Sequence, residues 1–259
     1  MQYDNFVMKV LSMANTIGKI LLTSGAETYR VEETICRICY SFGVDEADSF
    51  VTPTGIMVSI CHDNKTYSLI NRVKSRSVDL NKIDKINELS RTLQSEPMDL
   101  SHILKLLKEI DNGERYSFPL TLAFSALAAG TFSILFGGGF NDLLAATFIG
   151  FIIKIVTIKF QRLSINEFFI NCIGGATAAS LTLLLVILGF NINIDKTIIG
   201  AIMLLVPGLA ITNAIRDTIA GDFLAGLTKA AEAFLIAISI AVGSGAILSF
   251  WINTLGGSI

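Results

Sequence analysis

The chain has 259 residues, a net charge of −2 and a mean hydropathy of +0.61. Near-neutral charge excludes a basic groove or tail for nucleic acid, and four scattered cysteines exclude a disulfide framework. Thirty of the Asp, Glu, Lys and Arg residues lie in positions 1–116 and only twelve in 117–259. The expected fold is therefore an α-helical polytopic membrane domain, residues 117–259, behind a cytosolic α+β domain, residues 1–116.

Phe6, Val10, Met13, Ile17 and Leu21 recur at spacings of three and four and predict an amphipathic helix, interrupted at Ser24-Gly25. Lys9 and Lys19 break this stretch and no basic leader precedes it, so it does not read as a signal peptide. A second helix from about Ala26, with Val31, Ile35, Ile38 and Phe42 on one face, ends at Gly43 and pairs antiparallel with the first. The period then changes to two. Ser49–Thr52 predicts a short strand, Thr52-Pro53-Thr54-Gly55 a turn, and Ile56–Ile60 with Thr66–Ile70 a hairpin around Asp63-Asn64. Lys82–Gln94 and Leu100–Glu109 predict two charged helices. Cys36 and Cys39 form a C-x-x-C inside a helical pattern; with Cys61 and His62 they have the ligand types of a zinc site. Two small buried helix residues is the reading preferred here, so neither metal nor cofactor is expected.

Beyond the boundary, about five membrane spans are predicted: 118–136, 143–158, 168–190, 197–215 and 224–251. About 20 apolar residues cross a 30 Å hydrocarbon core. Lys159, Arg162 and Arg216 fall in the loops of one side, which argues for an N-terminus inside and a C-terminus outside. The pairs Ala126/Gly130, Gly174/Ala178, Gly175/Ala179 and Ala241/Gly245 are each four apart and predict faces for close helix packing, against neighbours or in a homo-oligomer.

The informative stretch is Pro207–Glu232. Pro207 lacks an N–H and Gly208 weakens a helix, so the fourth span should bend or unwind there. Asn213, Arg216 and Asp217 follow on one helical face, then Asp222, then Lys229 and Glu232 three apart. Ionisable groups in a membrane segment are costly unless paired or hydrated, which makes these six the candidates for a substrate pathway. Both signs of charge suit a zwitterion; a dicarboxylate would want a positive surplus. No H-E-x-x-H, nucleophile elbow or phosphate loop occurs, and the Asp217/Asp222 spacing is not that of an intramembrane aspartyl protease, so an enzyme is not expected. A membrane-anchored sensor or scaffold is the alternative of another class.

Three separated stretches resemble the threonine/serine exporter family: Ser24-Gly25-Ala26-Glu27-Thr28-Tyr29-Arg30-Val31-Glu32-Glu33-Thr34; Thr52-Pro53-Thr54-Gly55-Ile56; and Val206-Pro207-Gly208 with Thr212-Asn213-Ala214-Ile215-Arg216-Asp217 and Ala220-Gly221-Asp222. The match is to its N-terminal module, found alone in YjjP-like proteins. The resemblance implies export of threonine and serine across the inner membrane, or of succinate as in some split members. It also implies a further block of about four spans, expected here as a separate small membrane subunit because the chain stops at Ile259. Glu27, Arg30 and Glu33 read either as a surface ion-pair row or as a helix contacting the membrane part and gating its inner mouth. Thr52, Pro53, Thr54 and Gly55 read as turn chemistry.

Overall fold

The structure is a computed structural model that describes residues 2–96, 98–113, 116–163 and 165–255. Glu114 and Arg115, beside the expected domain boundary, and Ile259 lie outside the described residues. The element order is α1 (Gln2–Thr23), α2 (Thr28–Ser41), β1 (Glu46–Thr52), β2 (Gly55–His62), β3 (Lys65–Arg72), α3 (Leu80–Ser95) and α4 (Leu100–Asp111), followed by α5 (Phe118–Leu135), α6 (Phe140–Arg162), α7 (Glu167–Ile187), α8 (Ile194–Ile202), α9 (Gly208–Ala220) and α10 (Phe223–Leu255). The chain forms two compact units: Met1–Glu114 with Leu209–Ala231, and Arg115–Gly208 with Glu232–Ile259. The first unit thus takes in α9 and the start of α10, which the charge distribution had assigned to the membrane half.

In the first unit the 3.6-residue periodicity of α1 and α2 buries Val10, Met13, Ile17 and Leu21 against Val31, Ile35 and Ile38. Gly25 holds the turn between them at φ +91°, a conformation that favours glycine. The sheet order is β1-β2-β3, antiparallel throughout. Asp63 and Asn64 both take positive φ in the two-residue turn from β2 to β3, as the right-handed twist of a tight hairpin requires. Thr52 and Gly55 pair across the β1–β2 turn. Alternation puts Val51, Ile56, Val58 and Ile60 in the same core as Ile86 of α3 and Ile103 and Leu107 of α4.

Among the described residues, five helices are long and apolar enough to cross a membrane: α1 over Phe6–Thr23, then α5, α6, α7, and α10 over Phe223–Thr254. This set differs from the expected spans in two places. The α1 helix joins it, although its apolar side chains are filled by the core of the first unit. Residues 197–215 are not one helix but lie in α8 and α9, because Pro207 cannot donate to the ladder; Met203–Pro207 is irregular.

The second unit is held by small residues. A Cβ on Gly130 of α5 would meet Thr147 and, at 2.9 Å, the carbonyl of Leu143 on α6. On Gly174 and Gly175 of α7 it would strike Leu205 and the Ile240 backbone of α10, and on Gly243 of α10 the Cys172 backbone. The short α8 is wedged among α5, α6 and α7 because Gly200 lets it touch the backbone of Ala129 and Ser133, at 2.7 and 2.8 Å from a would-be Cβ. Gly245, of the predicted small-residue pairs, faces open space. Asp142 is a buried anchor: it accepts from Gly139 N (2.7 Å), Asn193 N (2.6 Å) and Thr197 Oγ1 (3.3 Å), tying the starts of α6 and α8 together.

Gly200→Ala is expected to destabilise the folded protein by about 1–3 kcal/mol, since backbone rather than a pliant side chain must move. Gly245→Ala should be neutral or gain up to about 1 kcal/mol of helix propensity. Thermal unfolding of the two variants in detergent checks the contrast.

Candidate functional site

In a water-facing amphipathic helix the polar residues point out. In α9 two of them point in instead: Asn213 and Asp217 are buried, while Ile211, Ile215 and Ile219 are exposed beside Arg216. One turn into α10, Lys229 is likewise buried, while Leu227 nearby is exposed. Such an arrangement survives only if each buried polar group has a partner.

The partners come from α9, α10 and the turn that opens α2. Asp217, with no exposed surface, accepts from Lys229 Nζ at 2.7 Å through Oδ2 and from the Thr28 backbone N–H at 2.9 Å through Oδ1. Thr28 is the first residue of α2, and Glu27, its N-cap residue, makes no side-chain cap; the Asp217 carboxylate fills that role from another helix. Lys229 Nζ also reaches the Ala26 carbonyl at 3.4 Å. Asn213 Nδ2 donates to the Gly25 carbonyl at 2.8 Å, and Arg216 Nη1 to Glu27 Oε1 at 2.6 Å. Arg30 Nε lies 3.9 Å from the other Glu27 oxygen. Four consecutive residues, Gly25 to Thr28, are thus each tied to a side chain of α9 or α10. On the other side of the turn, Ser77 N and Asp79 N donate to Thr23 O and Ser24 O at 2.8 and 3.0 Å.

The centre carries further carboxylates. Asp222, in the turn between α9 and α10, has a buried Oδ2 without a hydrogen-bond partner. Burial and then the neighbouring Asp217 charge push its carboxyl above the ordinary aspartate range, against the pull of Lys229. Glu32 on α2 accepts from Val51 N at 2.7 Å, and burial, with Asp222 and Asp217, likewise raises it. Burial also pushes Glu27 up, but its own backbone N–H and the Arg216 and Arg30 guanidiniums outweigh this and hold it below the ordinary glutamate range.

Of the residues singled out from sequence, Asn213, Arg216, Asp217, Lys229 and Glu27 converge on this centre, with Asp222 and Arg30 at its edge. Glu33 does not: it pairs with Arg37 one turn along the exposed face of α2. Glu232 belongs to the second unit, as do Pro207 and Gly208 at the α8–α9 break. Thr52, Pro53, Thr54 and Gly55 form the β1–β2 turn, where the Thr54 carbonyl accepts from Val73 N at 2.9 Å. Glu32 and the backbone of Gly25, Ala26 and Thr28 were missed as site groups, because a main-chain contact leaves no mark in residue type. Cys36 lies beside Ser49 Oγ at 3.3 Å, and burial pushes the Cys39 thiol up to about 12. Among the described residues no His, Cys or carboxylate group has the geometry of a metal site.

A buried acid–base centre in which one partner rides on α10, itself long and apolar enough to span a bilayer, marks the class: a helical membrane protein with an ionisable centre of the kind that marks function by default. The chain belongs to the ThrE threonine/serine exporter family, whose model matches residues 12–251. The family is one of membrane exporters and not of enzymes. The chain is 25% identical over 247 residues to the "Threonine/serine exporter" of Corynebacterium glutamicum, covering 92% of this chain and 50% of that one. It is 23% identical over 236 residues to the "Probable succinate transporter subunit YjjP" of Klebsiella aerogenes, covering 89% of this chain and 90% of that one. With the "Probable threonine/serine exporter" of Mycobacterium tuberculosis it shares 23% over 247 residues, 93% of this chain and 46% of that one. The chain therefore spans about half the length of the two exporters and about nine tenths of the YjjP subunit. No solved structure matches it.

Asp217→Leu leaves Lys229 buried without a counter-charge and is expected to cost about 3–5 kcal/mol of stability. The double variant Asp217→Leu/Lys229→Met should recover most of that loss, read as unfolding midpoints of the three proteins. Because Asp222 has a raised folded pKa, its contribution to stability is present below the ordinary carboxyl range, about 3.9, and is lost as pH rises through the raised value. Asp222→Asn should therefore melt higher than the parent at pH 8, and the difference should close as pH falls through the Asp222 titration.

Proposed function

We propose that the protein is a subunit of an exporter of small zwitterionic amino acids, threonine and serine foremost, with Asn213, Arg216, Asp217 and Lys229 as its substrate-handling centre. The observation that carries this is the charge balance of that centre. The cations Lys229, Arg216 and Arg30 face the carboxylates Asp217, Glu27, Asp222 and Glu32, so no positive surplus awaits a dianion. A zwitterion brings one charge of each sign and can exchange into such a centre at little electrostatic cost; a dicarboxylate cannot. The names of the Corynebacterium and Mycobacterium relatives agree with this reading.

Succinate export is the second reading. It is favoured by the near-complete coverage of the Klebsiella YjjP chain, named a succinate transporter subunit, and by the convergence of two guanidiniums on the single carboxylate of Glu27. A membrane-anchored sensor or scaffold, working through the first unit alone, is the reading of another class.

The working arrangement is a protein of the cytoplasmic membrane with its N-terminal elements in the cytosol. Lys159 and Arg162 in the last turn of α6, against Asp142 in its first, support that orientation by the positive-inside rule. A separate small membrane subunit is the expected partner, since the YjjP relative is by name one subunit.

Efflux of labelled threonine, serine and succinate from loaded cells tests the function, with this chain expressed alone and together with a four-span partner. Threonine or serine efflux is expected, falling about tenfold or more in Lys229→Met at equal membrane content, since a buried charge-assisted contact is lost. Succinate efflux without amino-acid efflux would replace the first reading by the second. Unchanged flux in Lys229→Met would remove the centre from the pathway.

A further inference from the structure

What the α9–α10 side chains hold is unusual in kind. Asn213 Nδ2 and Lys229 Nζ donate to two successive carbonyl oxygens, of Gly25 and Ala26, at 2.8 and 3.4 Å. Asp217 Oδ1 accepts from an N–H two residues further along the same segment, that of Thr28, at 2.9 Å. A pair of sp² oxygens on an amide and an ammonium, and an N–H on a carboxylate, are the contacts an α-amino acid makes through its carboxylate and its ammonium. All three side chains are more than nine-tenths buried, so the constellation is built rather than incidental to a surface. Beside it the Thr28 hydroxyl, also fully buried, has no hydrogen-bond partner.

The fit of the segment is weaker than the fit of the ligand it resembles. Neutral carbonyls and a neutral amide N–H occupy positions where ionised groups would form shorter, charge-assisted bonds of about twice the strength. The 3.4 Å contact of Lys229 with Ala26 O is long for a hydrogen bond to an ammonium.

We infer that residues Gly25–Thr28 are an internal surrogate ligand, plugging an amino-acid site formed by Asn213, Asp217 and Lys229, and that a zwitterionic amino acid displaces them. The inference rests on the amino-acid reading above and adds the site, its partner for each end of the substrate, and the group that must leave. Asn213 and Lys229 take the carboxylate; Asp217 takes the ammonium. Glu27 is not part of the mimicry. Its bond to Arg216, 2.6 Å on a half-exposed side chain, is the bolt that sets how firmly the plug is held. The residues before the plug are pinned through Thr23 O and Ser24 O to Ser77 and Asp79. Displacement therefore hinges at Gly25, the positive-φ first residue of the plug, where it leaves the pinned part.

The test uses the full chain purified into lipid nanodiscs, with threonine as the probe and hydrogen–deuterium exchange and radioligand binding as readouts. Saturating threonine should speed exchange of the Ala26–Val31 amides and slow that of residues 213–229. Glu27→Gln, which weakens the bolt, should raise threonine affinity about tenfold, because less of the protein is held in the plugged state. Asn213→Ala should lower it. Threonine binding with unchanged or slowed exchange at Ala26–Val31 would overturn the plug and leave the exporter reading standing. The plug is equally overturned if Glu27→Gln, folded by its melting profile, binds no more tightly than the parent. Absence of threonine and serine binding in both parent and Glu27→Gln would overturn the amino-acid reading and the plug together.

Discussion

The pair formed by Asp217 and Lys229 is the constraint on which the first unit depends. Two opposite charges with almost no exposed surface are stable only if each keeps its partner and its remaining hydrogen-bonding capacity is used. That requirement fixes the roll of α9 and of the first turns of α10. It turns Asn213 and Asp217 inward and leaves Ile211, Ile215 and Ile219 outward. It also brings in the start of α2, whose first N–H completes the Asp217 carboxylate. The same pair that joins α9 to the α1–α2 turn thus gives α9 an outer face in which Ile211, Ile215 and Ile219 stand beside the half-exposed Arg216.

The second unit follows a different logic, and its order comes from backbone approach. Gly130, Gly174, Gly175, Gly200 and Gly243 each leave room for a neighbouring helix that a methyl group would fill. In hydrocarbon the hydrophobic effect does not drive helices together, so close packing of this kind has to do so. Asp142, a buried carboxylate of this unit, is engaged in joining helix starts and has no slack for a ligand. One unit is ordered by close backbone packing; the other by polar contacts among buried side chains and the main chain.

Periodicity made the helix pair, the hairpin and the apolar spans legible in sequence, because burial on one face is written in spacing. The identities of Asn213, Arg216, Asp217 and Lys229 were legible for the same reason: ionisable residues in an apolar stretch need an explanation. Their partners were not. Asp217 meets Thr28 at a separation of 189 residues, through a backbone N–H that every residue but proline has. The clustering of α9 with the N-terminal elements was hidden by composition, which assigns an apolar helix to the membrane half whatever its polar face contacts. Asp142 was hidden by its position next to three glycines, where a loop charge is the ordinary reading, although an acidic residue three after a helix-starting glycine is a capping signal. Glu232 shares a helical face with Lys229 in sequence and is grouped with the other unit in the fold, a division that falls inside one continuous helix and leaves no mark in composition.

If the centre is the substrate site proposed above, it must be held closed without being held shut, and the distribution of charge bears on how that would be managed. Three carboxylates, Asp217, Asp222 and Glu32, act on one another around the ammonium of Lys229. Asp222 and Glu32 sit above the ordinary carboxylate range because burial denies them water, and because the Asp217 charge is already there. Their ionisation adds negative charge next to Asp217 and favours the arrival of a cationic group. The pair alone would be a permanent staple, since breaking it exposes a buried charge to nothing. On the proposed amino-acid reading, surplus carboxylate would change that: an incoming ammonium would meet charge that Lys229 does not satisfy, and an incoming carboxylate would replace the neutral carbonyls to which Lys229 and Asn213 donate. On that reading, the groups proposed to receive a zwitterion are those least well served by their present partners, which is the energetic condition for exchange rather than for mere stability.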